Sequence, residues 1–171
     1  MSEQKTILGI SGSLRQDSSA TKILQAAGEL LPTHVDLDIY TELEIIPAFN
    51  DSNTIPPVVQ SFIDRISKAD GVLFCIPEYA FGVPGALKNA MDWTVSSTAF
   101  TDKPVALITA ASSGDKAHAA FLLTLSALGP KMHANSSLLI PFIRSKINSE
   151  GKIDDLVLQY MQVVVDSLLL F

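Results

Sequence analysis

The chain has 171 residues, 47% of them hydrophobic, and 18 acidic against 12 basic side chains, for a formal net charge of −6. That is enough for a full hydrophobic core in a single domain over residues 1–171 without disulfides, and the acidic balance excludes the basic stripe of a nucleic-acid binder. Cys75 is the only cysteine, so a disulfide framework or a cysteine-based metal site within one chain is excluded. No apolar run reaches the length of a membrane span. The start Met1-Ser2-Glu3-Gln4-Lys5-Thr6 lacks a cationic segment leading into an apolar one, so cytoplasmic placement is the expectation.

The pattern alternates strand and helix. Thr6–Ile10 reads as a short apolar strand. Ser18–Leu31 reads as a helix, with Ser18 as N-cap, a buried spacing of Ile23, Leu24, Ala27, Leu30 and Leu31, and Pro32 as its stop. Val35–Tyr40 alternates as a half-buried strand. Glu42–Pro57 is loop-like, broken by Pro47, Asn50, Asp51, Asn53, Pro56 and Pro57. A helix over Pro57–Ala69 follows, then a continuously apolar strand at Gly71–Ile76 and a helix over Pro84–Ser97. Pro104–Thr109 is the next strand, Asp115–Leu128 a helix stopped by Gly129-Pro130, and Ser136–Ile140 the fifth strand. The closing helix Ile153–Leu170 carries Ile153, Leu156, Val157, Tyr160, Val164 and Leu168 on one broad face. Five such units with near-continuous apolar strands predict an α/β three-layer sandwich, a parallel sheet covered on both faces by helices. At this length and strand count the flavodoxin-like order 2-1-3-4-5 is expected, with a ligand at the carboxyl ends of strands 1 and 3, where the order reverses.

Two informative loops lie at those ends. After strand 1 the chain reads Gly9-Ile10-Ser11-Gly12-Ser13-Leu14-Arg15-Gln16-Asp17-Ser18-Ser19-Ala20-Thr21. Small hydroxyl residues and an arginine run into a helix start, which is what a phosphate monoester wants: backbone N–H groups, positive helix-end potential, hydroxyls and a guanidinium. No Gly-Lys-Ser/Thr closes the loop, so it is not a Walker loop, and serines stand where a dinucleotide fingerprint has glycines. A nucleophile elbow at Ser11 lacks its final glycine and a placed base. His34, His118 and His133 show no metal-ligand spacing, so no metal site is expected. After strand 3 comes Pro77-Glu78-Tyr79-Ala80-Phe81, whose backbone would border an extended planar heterocycle, with Tyr79 and Phe81 supplying apolar contact. Lys88 and Asp92 read as a surface pair four apart, Trp93 as core or subunit interface, and Cys75 as inert packing. After strand 4, Ser112-Ser113-Gly114 reads equally as close approach to a ligand or as capping of the next helix by Ser113 or Asp115.

These residues resemble the NADPH-dependent FMN reductase family. Gly12-Ser13-Leu14-Arg15-Gln16-Asp17-Ser18 is similar to that family's Gly-Ser-x-Arg-x-x-Ser phosphate loop. Pro77-Glu78-Tyr79 through Pro84, Leu87-Lys88-Asn89-Ala90 and Asp92-Trp93 are similar to its Pro-Glu-Tyr-Asn…Pro…Leu-Lys-Asn-Ala-Ile-Asp-Trp signature. The resemblance implies bound FMN, NADPH or NADH as electron donor, and a quinone, flavin, azo or metal-oxyanion acceptor. It implies that Ser11, Ser13, Arg15, Ser18, Ala20 and Thr21 surround the FMN phosphate. Pro77, Glu78, Tyr79, Ala80 and Phe81 would border the flavin ring, and Ser112, Ser113 and Gly114 would approach it from the third loop. No side-chain acid or base is demanded, because the flavin carries the chemistry. A homodimer or homotetramer is implied, with the helix at 84–97 part of the contact. The alternative is a non-enzymatic FMN-binding electron carrier. Ala20 and Ala80 stand where the family often has asparagine, and each replacement removes a possible hydrogen bond to the cofactor.

Overall fold

A computed structural model describes residues 4–52 and 54–170; the expected breaker Asn53 and the opening Met1-Ser2-Glu3 lie outside the described residues. The elements are β1 (Lys5–Ser11), α1 (Ser19–Glu29), β2 (Val35–Tyr40), α2 (Pro57–Lys68), β3 (Gly71–Ile76), α3 (Gly85–Thr94), β4 (Val105–Ala110), α4 (Asp115–Leu128), β5 (Ser137–Ile140) and α5 (Asp155–Leu168). Short 3-10 turns occupy Leu43–Ile45, inside the segment expected to be loop, and Ile143–Lys146. All strands are parallel in the order β2-β1-β3-β4-β5, as the alternation of elements predicts. Among the described residues no helix is long and apolar enough to cross a membrane.

The sheet separates two cores, and the period of two along each strand assigns its side chains to them. Leu8 and Ile10 of β1, Val72, Phe74 and Ile76 of β3, and Val105 and Leu107 of β4 join one core with α2, α3 and α4. Ile7, Leu73, Cys75, Ala106, Ile108 and Ala110 join the other with α1 and α5. Phe74 stacks edge-on against Phe121 of α4 at 4.9 Å between ring centres. Each such fully buried large side chain stabilises the fold by roughly 1.5–3 kcal/mol relative to exposure. Burial also pushes the Cys75 thiol pKa far up, which keeps it protonated and unreactive. β2 is one of the two edge strands and alternates accordingly, with Asp36 and Asp38 outward.

α1 ends at Glu29, two residues before the expected Leu31, and two other helices differ further from their expected form. α3 ends at Thr94 rather than Ser97, because the Thr94 hydroxyl donates to the Met91 carbonyl (2.7 Å) and Ser97 takes the Thr94 carbonyl with both its N–H and its hydroxyl. On α5 the buried stripe is Val157, Met161, Val164, Val165 and Leu168, whereas Leu156 and Tyr160 are exposed. The true stripe follows steps of three and four from Val157, so the broad face read from the sequence merged two adjacent ones.

Beneath α4, His118 Nδ1 lies 2.8 Å from the Thr109 hydroxyl of β4, and burial holds the His118 pKa below the usual histidine range. The fold therefore favours the neutral ring. The stability this contributes is fully present above the unfolded-state pKa of about 6.5 and is lost as the pH falls from there towards the lowered folded value. Urea denaturation across that window should show the loss, and His118→Gln should flatten it. A slope unaltered by the substitution would show that other groups set the pH dependence.

Candidate functional site

The first loop is built by its own hydroxyls. Ser18 caps α1, its Oγ accepting the Thr21 N–H at 3.1 Å, as expected. Thr21 Oγ1 lies 2.9 Å from Ser18 Oγ and 3.1 Å from Ser11 Oγ, and donates to the Arg15 carbonyl. Ser11 Oγ accepts the Ser13 N–H, and Ser13 Oγ accepts the Arg15 N–H. These hydroxyls hold the turn open. The N–H groups of Ser19 and Ala20, in the first turn of α1, find no acceptor among the described residues, and neither does the Arg15 guanidinium. That is the donor set of an anion cradle. Gly12 brings the loop against the second one: its N–H donates to the Cys75 carbonyl at 2.8 Å, and a Cβ there would come within 3.2 Å of Ile76 and of Pro77.

The second loop contains a tight two-residue turn. Tyr79 and Gly82 exchange backbone hydrogen bonds of 3.1 and 2.9 Å, and Ala80 and Phe81 between them have φ of 48° and 57°. Both central residues are left-handed, as in a type I′ turn, where Asn-Gly is favoured and Ala-Phe costs energy. The asparagine the family often has at position 80 therefore suits the backbone, whatever else it contacts. Tyr79 reaches back to the first loop, its hydroxyl 3.5 Å from Ser13 Oγ.

Glu78 does something the sequence did not announce. Its Oε1 accepts the Gly114 N–H (3.2 Å), and its Oε2 accepts the N–H groups of Lys116 (3.0 Å) and Ala117 (2.9 Å). The start of α4 has no cap from its own segment: the N-cap residue is Gly114 at φ 94°, and Ser113 instead donates to Asp115. The expected capping by Ser113 or Asp115 is corrected accordingly. A carboxylate from the preceding loop, after β3, caps this helix, where the helix-end potential favours negative charge. A side chain on Gly114 would also collide with Leu139 at 2.7 Å.

Together these loops line one cavity of about 100 Å³. Of the expected residues it gathers Arg15, Ser18, Ala20, Pro77, Glu78, Tyr79 and Ser112. Ser11, Ser13 and Thr21 instead border a second small cavity behind the loop, shared with Arg15, Tyr40, Thr41 and Glu44. Ala80, Phe81, Ser113 and Gly114 line neither. Sequence reasoning missed Ser19, Ala110, Ala111, Ile143 and Arg144. The last two arrive from the turn after β5, and no motif marked them. Asn89 and Trp93 of the second motif serve the neighbouring loop: Asn89 Oδ1 accepts the Phe49 N–H (2.7 Å), and both side chains donate to the Pro47 carbonyl. Lys88 and Asp92 form the expected surface pair at 2.5 Å.

A five-stranded 2-1-3-4-5 sheet with an anion cradle at its switch point defines a flavodoxin-like nucleotide-binding protein. The family profile described as NADPH-dependent FMN reductase matches residues 6–142. The chain belongs to that family, whose members reduce through FMN at the expense of NAD(P)H, and it is an oxidoreductase of that class. It is 30% identical to a quinone reductase of Pseudomonas putida over 97% of this chain and 94% of that one. It is 37% identical to an NAD(P)H-dependent FMN reductase of Pseudomonas aeruginosa, over 66% of this chain and 63% of the relative's length. In structure it matches a flavoenzyme NAD(P)H:(acceptor) oxidoreductase from Paracoccus denitrificans with a TM-score of 0.75 at 24% identity, covering 96% of this chain and 94% of that one, a likeness of fold.

The Glu78→Ala protein should lose about 2 kcal/mol of stability, the scale of a charged multi-donor cap. Hydrogen exchange at the Lys116 and Ala117 amides should speed up with it; unchanged protection there would contradict the clamp. Ala80→Asn should raise stability by about 0.5–1 kcal/mol by relieving the left-handed alanine, read from the denaturation midpoint, and a lower midpoint would argue against turn strain.

Proposed function

We propose that this cavity holds the phosphate end of FMN, and that the protein is a cytoplasmic NAD(P)H-dependent reductase of quinone, flavin or related small-molecule acceptors. The observation that carries the reading is the convergence of Arg15, the unpaired α1 amides and the ends of β1, β3 and β4 on one polar cavity. The donors suit a dianion, and the only carboxylate in the lining, Glu78, is already satisfied by three N–H groups. About 100 Å³ accommodates a phosphate group but not a whole nucleotide, since pockets that enclose such ligands run to roughly 300–1,000 Å³. The flavin ring then rests on exposed loop surface, for which Tyr79, Ala80, Phe81 and the Ser112-Ser113-Gly114 segment are the candidates, with Phe81 78% exposed.

When bound, FMN supplies the centre that takes hydride and passes electrons on. The protein's own residues bind and orient it. Arg15, Ser18 and the first turn of α1 hold the phosphate. Ser11, Ser13 and Thr21 act one step back, fixing the loop so that the donors face the cavity. The Glu78 clamp keeps the second and third loops at a set separation. The relatives named as quinone and FMN reductases support this acceptor class. We further propose that a second copy of the chain covers the face between α3 and α4, as a homodimer or homotetramer. There Val95 and Leu123 are 66% and 72% exposed beside Met91 and Leu128.

Protein mixed with FMN and freed of excess should retain a flavin spectrum that bleaches rapidly on anaerobic NADPH or NADH. Retained flavin that stays oxidised with both donors would refute the reductase and leave an electron carrier. Arg15→Ala should weaken FMN binding by about tenfold more than riboflavin binding, the scale of one charge-assisted contact. Equal losses for both ligands would remove Arg15 from the phosphate.

A further inference from the structure

The chain has three arginines. Arg65 is paired, its Nη2 2.6 Å from both Asp38 oxygens. Arg15 and Arg144 have no acceptor among the described residues, and both line the same cavity. They come from opposite sides of it, Arg15 from the loop after β1 and Arg144 from the turn after β5. With 18 acidic side chains against 12 basic ones, this protein has carboxylates in excess, yet among the described residues none forms an ion pair with either guanidinium. Glu78, the one acid in the lining, is turned onto the α4 amides. The cavity is therefore a local reversal of the protein's overall charge.

Arg144 sits on a fastened turn. Phe142 and Ile143 donate their N–H groups to the Ser112 and Ala111 carbonyls, each at 3.1 Å, and Asp154 donates to the Lys146 carbonyl at 2.9 Å. Ile143 beside it is buried. Phe142 adopts φ 54°, an unfavourable conformation for a phenylalanine, and turns the chain as it leaves β5. The backbone of Arg144 is thus placed at the cavity by the third loop and by β5 together.

On the functional reading above, on which this inference rests, the cofactor brings one phosphate, and Arg15, Ser18 and the α1 amides already match it. Arg144 exceeds that need. We propose that Arg144 is a specificity residue: its guanidinium fork pairs with an oxyanion group on the reactant that docks beside the cofactor. Two reactants can carry such a group, the nicotinamide donor through the ribose phosphate that distinguishes NADPH from NADH, and an acceptor bearing a sulfonate or carboxylate.

The experiment uses FMN-loaded wild-type and Arg144→Ala proteins, with thermal unfolding to confirm that the substitution of this exposed residue leaves the fold intact. Equilibrium Kd values for NADP+ and NAD+ come from flavin fluorescence, and KM values are measured for a sulfonated naphthoquinone and its unsulfonated parent. A loss of about tenfold in the preference for NADP+ over NAD+ assigns the donor's phosphate as the partner, and the same loss in preference for the sulfonated quinone assigns the acceptor. Either loss should shrink with added salt. Preferences unchanged in both arms overturn the proposal. So does a selective loss of FMN over riboflavin affinity, because Arg144 then belongs to the cofactor's own phosphate shell. Wild-type protein that takes up no FMN defeats the functional reading itself, a result distinct from flavin-loaded variants with unaltered preferences.

Discussion

The site depends on a single carboxylate spanning two loops. Glu78 leaves the end of β3 and accepts three amides at the start of α4, an element whose own segment supplies no cap. Parallel strands place their crossover loops at one edge of the sheet but do not bind those loops to each other. The clamp does so between the second and third loops, and the Gly12 N–H to the Cys75 carbonyl does so between the first loop and β3. The third loop in turn holds the turn after β5 through the Ala111 and Ser112 carbonyls. Four strand ends are thereby joined into one rim, which lets a surface of short loops act as a preorganised site.

The same bond settles the electrostatics. An uncompensated carboxylate in the lining would repel the dianion proposed to bind there. With its charge spread over three N–H donors at a helix end, Glu78 contributes structure while the cavity keeps a positive balance from Arg15, Arg144 and the α1 amides. A protein of net charge −6 can therefore carry the proposed anion site: the sign that matters is set within a few ångströms, and charges farther than a Debye length are screened.

The architecture was legible because it rests on periodicities. β2, β3 and α4 have the bounds read from the sequence, and the strand order follows from the count of apolar strands and the rule for parallel crossovers. The cradle was legible in part. Ser18 shows as an N-cap and Arg15 as a cation in a phosphate-type loop, because those signals are local. Ser11, Ser13 and Thr21 read as ligand contacts yet bond mainly to one another, since a hydroxyl's direction is decided by neighbours that a motif does not specify. Glu78 reads as a ring contact, and its further role as a cap of α4 was not legible, because its partners lie 36 to 39 residues away. Arg144 left no trace, as a lone arginine after a strand differs in no way from a solvated one until the fold brings it beside Arg15.

The turn at Ala80-Phe81 shows what the rim costs. Two non-glycine residues are held left-handed, and the phenylalanine is exposed rather than buried, so no local packing offsets the strain. The hairpin persists because it is closed at both ends: by the Tyr79–Gly82 hydrogen bonds and, just before them, by the Glu78 clamp. A relaxed turn would let Tyr79 swing away from Ser13 and widen the gap between the first and second loops. Strain at this point is therefore coupled to the shape of the cavity, and the conformational energy spent on two residues keeps the remaining contacts of the rim in register.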